Sequence, residues 1–271
     1  MKNILIIDTN NWVRVKMCES LGGASIFTLY QETLANSLAG KLQVFVSDGF
    51  DSRKKRREIF PEYKAKRKPA DQSIYDGINF FKELLENAPT NVLRIELPEY
   101  EADDVIANLV EKVFVGQEVG IISTDRDLTQ LQVHPEVDTL KEPKFPAKWV
   151  KLYKMLVGDS SDNIPGVKGF GDGAWDSLSD DFKDRMTVYL HQEKGLLDKD
   201  VVARLLSKEK LGAKTIQKVL DDIECGNFYK WYRLVSFIDI PECALTFRTG
   251  TGLTYINDSK IEEYSMGELQ I

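Results

Sequence analysis

The sequence predicts an α/β fold in which a mostly parallel central sheet is flanked by helices. Three short apolar runs, rich in β-forming residues, each lead to an aspartate: ILII to Asp8, VFVS to Asp48 and VGIIST to Asp125. A fourth run, VLRIEL, leads into Pro98. Continuous apolar runs of this length are typical of strands that are buried on both faces, as in a parallel sheet.

A helical pattern separates the last two of these strands. In EADDVIANLVEKVF, apolar residues recur at helical spacing, at Val105, Ile106, Leu109, Val110 and Val113. A strand, a helix and a further strand in succession favour a parallel arrangement.

The composition is that of a globular protein outside the membrane. The chain has 271 residues, of which 42% are hydrophobic and 29% are charged, enough for one large domain or two. No apolar run approaches the length of a transmembrane helix. The N-terminal stretch is charged again by residue 8, too early for a secretory signal. We therefore expect a cytoplasmic protein with no membrane partner.

The net charge of −7 conceals one strongly basic segment. Between Arg53 and Lys68, nine basic residues are accompanied by only Glu58 and Glu62, so this stretch carries +7 and the remainder −14. Two interpretations stay open here. Charge runs are often solvated faces, or the segment binds phosphate groups next to an acidic metal site.

Acidic residues concentrate near the predicted carboxyl ends of strands, where open α/β sheets bind their ligands. Capping and the helix dipole explain any one acidic cluster. However, two unit charges ~4 Å apart repel by ~4 kcal/mol at an effective dielectric constant of 20, and bound cations would relieve that cost. Only two histidines are present, so carboxylates and hard cations such as Mg²⁺ or Mn²⁺ are expected. The carboxylates that would together suit two metal ions are Asp8, Asp48, Glu101, Asp103, Asp104, Asp125, Asp127, Asp159 and Asp162.

The stretch VGDSSDNIPGVKGFGDGAW joins two of these aspartates to four glycines within eight residues. If the chain before Pro165 turns helically, Asp159 and Asp162 lie on one face. The glycines permit positive φ angles and let another molecule's backbone approach closely. The stretch therefore predicts a cation site beside an element that grips a phosphate backbone.

These motifs occur in the order found in the flap endonuclease superfamily. IIDTNN, SDG, FPEYKAKR, YEADDVIA, STDRDLTQL and VGDSSDNIPGVKGFG most resemble its bacteriophage 5′-exonucleases and the 5′-nuclease domain of bacterial DNA polymerase I. The resemblance runs from residue 3 to about residue 175, and more weakly to about residue 241. It implies a PIN-like nuclease core over residues 1–150, including a basic helical arch over 49–75. It also implies a helix-hairpin-helix DNA-binding region with C-terminal helices over 151–271.

The activity implied by this resemblance is two-metal hydrolysis of DNA phosphodiesters near 5′ ends, by a flap endonuclease or 5′-3′ exonuclease that leaves a 5′-phosphate. Two Mg²⁺ ions are expected, with Mn²⁺ as a substitute and K⁺ as a candidate ion at the hairpin. The expected partners are DNA with a 5′ end, flap or junction, an RNA–DNA hybrid, and a single-strand-binding protein or polymerase. The protein is expected to be a monomer, located in the host cytoplasm if it comes from a phage.

The resemblance also implies a role for each site residue. The inner group around the first metal would be Asp8, Asp48, Glu101 and Asp103, with Asp125 and Asp127 close by. The second, weaker group would be Asp104, Asp159 and Asp162. Lys64 would contact the scissile phosphate with help from Arg67. Tyr63 would stack on a base, with core packing as the alternative. The implied DNA-binding residues are Arg57, Tyr63, Lys64, Arg67, Lys154, Gly166, Lys168, Gly169 and Gly171.

The sequence departs from the superfamily at one place. A lysine or arginine is usual two residues after the last glycine of the GxG motif, and Gly173, preceded by Asp172, stands there instead. This loss of a cation and gain of an anion puts the binding of downstream duplex, and the balance of endonuclease and exonuclease activity, in question.

Several rival site types fit less well. A haloacid dehalogenase-type phosphatase needs a second aspartate where Asn10 stands. DSSDNIPG has its glycine at the wrong position for an EF-hand and lacks the closing glutamate. GVKGFGDG lacks the lysine and hydroxyl residue of a P-loop. A catalytically weak protein that binds branched DNA and a PIN-type metal-dependent RNase stay open as alternatives.

Overall fold

The computed structural model describes residues 2–19 and 24–250. Their contacts divide the chain into two units. The first unit comprises Met1–Ser52, Pro69–Glu142 and Asp239–Ile271, and the second comprises Arg53–Lys68 and Pro143–Ile238. The basic segment therefore groups with the second unit, whereas the sequence analysis assigned it to the first domain. Such grouping reflects packing and not independent folding, so the domain boundary at residue 150 stays a prediction.

A six-stranded sheet forms the centre of the first unit. Its strands are β1 (Ile4–Asp8), β2 (Leu42–Ser47), β3 (Val92–Glu96), β4 (Val119–Ile122), β5 (Val137–Thr139) and β6 (Arg248–Thr249). They lie in the order β5-β4-β1-β2-β3-β6. All the pairings are parallel except that of β6, which runs antiparallel to β3. The predicted mostly parallel sheet is confirmed.

The α-helices of the described residues divide between the two units. Those of the first unit are α1 (Thr9–Glu19), α2 (Ala24–Leu38), α4 (Gln72–Glu86) and α5 (Ala102–Asn108). Those of the second unit are α3 (Lys54–Ile59), α6 (Val150–Val157), α7 (Asp172–Asp176), α8 (Asp180–Gln192), α9 (Lys199–Leu206), α10 (Ala213–Glu224) and α11 (Asn227–Val235). No helix in the two described stretches is long and apolar enough to cross a membrane.

The central strands are buried on both sides, as their continuous apolar runs predict. Ile7 and Phe45 pack into a core with residues of α1, α2 and α4. Ile6 and Val44, which alternate with them along the strands, are fully buried as well. Because successive strand residues point to opposite faces, both faces of the sheet are covered. This leaves the strand ends as the place where polar side chains gather.

The predicted helical stripe after β3 is correct in its first part and wrong at its end. Val105, Ile106, Leu109 and Val110 are buried, but Val113 is exposed. The α-helical hydrogen bonding of α5 gives way to a π-helical turn over Leu109–Val113. That wider turn changes the angular spacing of side chains, so the residue expected to close the stripe faces solvent.

The second unit is helical and has its own hydrophobic core, which includes Leu152, Met155, Trp175 and Trp231. Residues of the basic segment belong to this framework, among them one arginine. Arg56 is buried, and its Nε and Nη2 atoms donate to the carbonyl oxygens of Leu234 and Ser236 at 3.1 and 3.2 Å. The basic segment is therefore partly structural. Within it, α3 is the one α-helix, and turns follow.

Candidate functional site

The predicted inner carboxylates begin where β1 and β2 end, in the first unit. Asp8 is buried, and its Oδ1 accepts the backbone N–H of Asn11 at 3.0 Å while its Oδ2 accepts the Ser123 hydroxyl at 3.1 Å. Asp48 directly follows β2 and accepts the N–H of Ala102 at 2.9 Å. β1 and β2 pair in parallel, and parallel strands bring their carboxyl ends to one edge of a sheet, so both side chains lie at that edge.

The pKa of Asp8 is raised by its burial and by the neighbouring acidic side chains. Burial raises the pKa of its carboxyl, and the negative charges of Asp48 and Asp125 raise it further. Hydrogen bonds from Asn11 and Ser123 oppose this, but the pKa still rises from 3.8 to about 7. A carboxylate held in this way has too little positive charge around it, and a divalent cation would supply it.

The acidic cluster at the start of α5 also serves as a helix cap. Glu101 occupies the cap position and exchanges hydrogen bonds with Asp104, whose Oδ2 accepts the Glu101 N–H at 3.4 Å. Asp104 is fully buried, and Asp103 between them is half-buried. Glu101 and Asp104 therefore do cap the helix, as the alternative explanation for this acidic cluster predicts. The same end of α5 also binds Asp48, through the N–H of Ala102.

Asp125 lies on the loop after β4, and Asp127 begins the 3₁₀ helix that follows this loop. This strand ends at Ile122, earlier than the apolar run predicts, and the next two residues make polar contacts. The Ser123 hydroxyl accepts the N–H of Asp125 at 3.1 Å, and Asp125 accepts the N–H of Asp127 at 2.9 Å. Ser123 therefore bridges Asp8 and the Asp125 loop through one oxygen atom.

Two asparagines that the sequence analysis did not select support this cluster. The Asn11 side-chain oxygen accepts both the N–H and the hydroxyl of Thr124, at 2.8 and 3.1 Å. The Asn10 amide donates to Asp48 at 3.3 Å. Their position directly after the first strand-end aspartate is a usable sequence signal, because amides beside carboxylates are suited to hold them in place.

In the second unit, Asp159 and Asp162 lie in a non-helical turn, and their carboxylate oxygens still come within 4.8 Å of each other. Asp159 and Ile164 exchange two backbone hydrogen bonds of 2.8 Å, which close a tight hairpin. Gly158 and Gly166 flank it with φ angles of 90° and 62°. These left-handed conformations stop α6 and turn the chain back before a helix can continue.

Asp159 makes contacts within this hairpin and one with a lysine of α6. Its Oδ2 lies 2.6 Å from the Lys154 ammonium, and its Oδ1 accepts the N–H and hydroxyl of Ser161. Burial raises the pKa of Asp159, but Lys154 and the Ser161 hydrogen bonds outweigh it and lower the pKa to about 2. Lys154, a predicted DNA contact, is mostly buried and engaged with this carboxylate.

Three residues of the FPEYKAKR motif contact Asp162. Its Oδ1 lies 3.7 Å from the Lys64 ammonium and 3.4 Å from Arg67 Nη2, and its Oδ2 accepts the Tyr63 hydroxyl at 3.4 Å. Tyr63 is buried in the core of the second unit. Tyr63 therefore packs in the core, as the alternative to base stacking predicts. Its ring is not exposed for stacking on a base in this conformation.

The remaining predicted DNA contacts lie at the surface or provide backbone freedom. Arg57, Lys168, Gly169 and Gly171 are exposed. Gly169 has a φ of 81°, so its backbone needs the freedom that glycine provides. Gly166 is buried, and a Cβ there would lie 2.4 Å from the backbone nitrogen of Gly158. Gly166 is thus required by the fold of the hairpin itself.

The anion that departs from the superfamily pattern is compensated within the second unit. Asp172 accepts the Tyr153 hydroxyl at 2.6 Å and lies 3.0 Å from the Lys144 ammonium. The Tyr153 and Lys144 hydrogen bonds lower the pKa of Asp172. Lys144 was not selected from the sequence, because its contact with Asp172 depends on folding across 28 residues.

The donors at the strand ends of the first unit suit a hard divalent cation. All are carboxylate oxygens, and the raised pKa of Asp8 indicates uncompensated negative charge among them. The residues present therefore fit a divalent metal ion, and this cluster is a candidate metal site.

Comparison with known proteins agrees with this chemistry. Residues 24–155 match the family described as 5′-3′ exonuclease, N-terminal resolvase-like domain. DNA polymerase I of Caldicellulosiruptor bescii is 34% identical in an alignment of length 172 that covers 55% of this chain and 20% of that protein. A 5′-3′ exonuclease of Aquifex aeolicus is 40% identical in an alignment of length 131 that covers 43% of this chain and 45% of that protein. The predicted family resemblance is confirmed.

Solved structures show the same fold. The T5 5′-exonuclease with bound zinc ions superimposes with a TM-score of 0.59 at 20% identity, over 100% of this chain and 99% of that one. The T5 D15 flap endonuclease in a pseudo-enzyme-product complex with DNA and metal ions gives 0.57 at 22% identity, over 86% and 89%. The chain spans less than half the length of the polymerase and exonuclease relatives that it matches in sequence. The helix-hairpin-helix assignment and the individual site residues stay predictions.

Proposed function

We propose that this protein hydrolyses phosphodiester bonds near the 5′ ends of DNA, as a flap endonuclease, a 5′-3′ exonuclease or both. The observation that carries the proposal is Asp8, buried at the end of β1 with its pKa raised to about 7 by burial, Asp48 and Asp125. An arrangement that costs stability at a strand end, where α/β sheets bind ligands, is expected of a site built for a cation and a phosphate.

The carboxylates of the first unit would hold the metal ions, which we propose are Mg²⁺, with Mn²⁺ as a substitute. When bound, two such ions supply a water of lowered pKa and stabilise charge on the attacking and leaving oxygens. Asp8, Asp48, Glu101 and Asp103 are proposed as the inner ligands. The second, weaker group of ligands is proposed to be Asp104, Asp159 and Asp162. K⁺ is a candidate ion at the predicted helix-hairpin-helix.

The chain's own residues hold and orient these groups. Ser123 and Asn11 fix both oxygens of Asp8 through hydrogen bonds of 3.1 and 3.0 Å. The α5 N-terminus holds Asp48 through the Ala102 N–H. Lys64 would stabilise the developing charge on the scissile phosphate, and Arg67 would assist it.

The proposed substrates are DNA 5′ ends, flaps and junctions, and RNA–DNA hybrids. One structural neighbour is the catalytic core of Rad2 in complex with a DNA substrate, which superimposes with a TM-score of 0.52 at 18% identity. A duplex-binding role for Lys168, Gly169 and Gly171 is part of the proposal, since exposed glycines let a phosphate backbone approach. We also propose that the protein is a monomer and that it acts with a single-strand-binding protein or a polymerase.

The two alternatives predict different substrates and products. A catalytically weak protein that binds branched DNA is expected to lack one or more inner carboxylates, and this chain retains Asp8, Asp48, Glu101 and Asp103. A PIN-type RNase would cut single-stranded RNA as fast as a DNA flap. No observation on the described residues favours either alternative.

The test of the proposal is cleavage of 5′-labelled flap, blunt, RNA-primed and single-stranded RNA substrates with Mg²⁺. We expect cleavage that requires Mg²⁺ or Mn²⁺, stops with EDTA and is not restored by Ca²⁺. Asp8→Asn should abolish cleavage and leave DNA binding in Ca²⁺ largely intact. Robust cleavage in excess chelator would refute the proposal.

Substitution of two lysines of the basic segment tests the proposed role of Lys64. Lys54 is exposed on α3, whereas Lys64 is buried beside Asp162. Lys64→Ala should lower single-turnover cleavage by on the order of 100-fold, the effect of removing a donor to transition-state charge. Lys54→Ala should mainly weaken binding and lower the salt slope by about 1. Equal and modest effects of the two substitutions would mean that the segment is only a basic face.

A further inference from the structure

The turn that carries Lys64 is attached to the 159–164 hairpin by backbone as well as side-chain contacts. The Lys64 N–H donates to the Asp162 carbonyl oxygen at 3.0 Å. The Asn163 side-chain amide donates to the Glu62 carbonyl oxygen at 2.9 Å. These bonds join segments about one hundred residues apart in sequence, and both segments belong to the second unit. These contacts hold the turn against the hairpin, in addition to the hydrogen bonds within the turn itself.

Both ends of this contact adopt unusual backbone conformations. Lys64 has a φ of 53°, and Asn163 has a φ of 60°. A lysine in the left-handed region is uncommon and persists only where neighbouring contacts hold it. Asparagine tolerates this region far better than most residues. Asn163 can therefore supply the contact without strain, while Lys64 depends on it.

The conformation decides where the Lys64 ammonium lies. With this backbone, Lys64 is buried and its Nζ lies 3.7 Å from Asp162 Oδ1, beside the Tyr63 ring at 5.0 Å from its centroid. Releasing the turn would return Lys64 to ordinary φ angles and to a range of side-chain positions. A donor to a phosphate loses its effect when it is displaced by about 1 Å.

We propose that Asn163 is a positioning residue for Lys64, acting through its bond to the Glu62 carbonyl oxygen. Asp162 contributes through its own carbonyl and carboxylate. This inference rests on the proposed function for its catalytic consequence, but its structural part does not. Asn163 isolates the effect, because it is outside the predicted metal-ligand set that includes Asp162.

Two substitutions of Asn163 separate the effect of its hydrogen bond to Glu62 from the effect of its left-handed backbone conformation. Asn163→Asp keeps the shape of the side chain and replaces the donating amide by an oxygen. Asn163→Gly removes the side chain and keeps the left-handed φ accessible. Asn79→Asp, at an exposed asparagine on α4, adds the same charge and serves as the control.

The first measurement is residue-resolved amide hydrogen exchange of the full chain in EDTA, which needs neither metal nor activity. The Lys64 N–H should exchange about 2- to 10-fold faster in both Asn163 variants, which is the range for one neutral hydrogen bond. Exchange in the strands of the first unit should not change. Unchanged exchange at Lys64 in both variants overturns the proposal.

The second measurement is a double-mutant cycle of single-turnover cleavage at saturating enzyme. Both Asn163 variants should lower the rate about tenfold when Lys64 is present, and should have no effect in the Lys64→Ala background. An equal loss in both backgrounds would mean that Asn163 acts elsewhere, which overturns the proposal. If Lys64→Ala alone does not change cleavage, the proposed role of Lys64 fails, and the exchange result alone then decides the positioning claim.

Discussion

Asp8→Asn should make the metal-free protein more stable at pH 8, although the same change should abolish cleavage. The pKa of Asp8 is raised from 3.8 to about 7, chiefly by burial and by Asp48. Between these two values the folded protein keeps a proton that the unfolded chain releases. Stability therefore falls as the pH rises through this window and levels off above pH 7. An asparagine does not titrate, so its advantage grows over the same window.

The size of this effect follows from the shift and from the hydrogen bonds of Asp8. Each pKa unit corresponds to about 1.4 kcal/mol, so the advantage of the asparagine should grow by about 3 kcal/mol from pH 5 to pH 8. The Asn11 N–H keeps its acceptor. The Ser123 hydroxyl, which donates to Asp8 and accepts from Asp125, would lose its acceptor, at a constant cost of about 1 kcal/mol.

The assay is urea unfolding in EDTA at pH 5, 6, 7 and 8, followed by circular dichroism. Asp76→Asn, at an exposed aspartate on α4, serves as the control. Adding Mg²⁺ at pH 8 should stabilise the wild type and not the Asp8→Asn variant, because binding to the folded state adds to its stability. If the difference between wild type and variant were the same at pH 5 and pH 8, the electrostatic account of Asp8 would be refuted.

Two further predictions concern the hairpin of the second unit. Gly158→Ala should lower the free energy of unfolding by about 2–4 kcal/mol, because φ is 90° and the Cβ would lie 2.7 Å from the Ile164 carbonyl oxygen. Gly173→Ala, whose Cβ meets no atom within 4 Å, should not destabilise in the same urea titration. Lys154→Met should cost about 2 kcal/mol at neutral pH, since it removes the ammonium that lowers the pKa of Asp159 to about 2. That loss should shrink as the pH falls from 4 to 2, where Asp159 becomes protonated in both states. A loss independent of pH would mean that packing, and not charge, accounts for it.

The parallel sheet could be predicted because burial on both faces leaves a direct mark on the sequence. ILII and VFVS contain no polar residue until the strand ends. The positions of Asp8 and Asp48 at the carboxyl ends of β1 and β2 therefore follow from the runs themselves. The end of β4 was less well predicted. Ser123 and Thr124 extend the β-forming run in the sequence, but their side chains contact Asp8 and Asn11.

The contacts of the basic segment could not be predicted, because its partners are distant in sequence. Arg56 is one of nine basic residues in a segment whose composition suggests a solvated face, yet the carbonyl groups it contacts lie 178 and 180 residues away. The chain before Pro165 does not turn helically, and the reason is local. Gly158 ends α6 in a left-handed conformation, which no spacing of aspartates reveals.

The chain passes from the first unit to the second and back twice, and this order constrains how the protein is made. Residues 53–68 leave the ribosome before the whole of Pro69–Glu142, yet the rest of their unit, Pro143–Ile238, is made only afterwards. At 5–20 residues per second, the basic segment waits roughly 4–15 s for its first partners to be synthesised. The edge of β3 waits longer still, because β6 is made near the end of the described chain. During synthesis, the basic segment and the edge of β3 therefore both exist for several seconds before their native neighbours do.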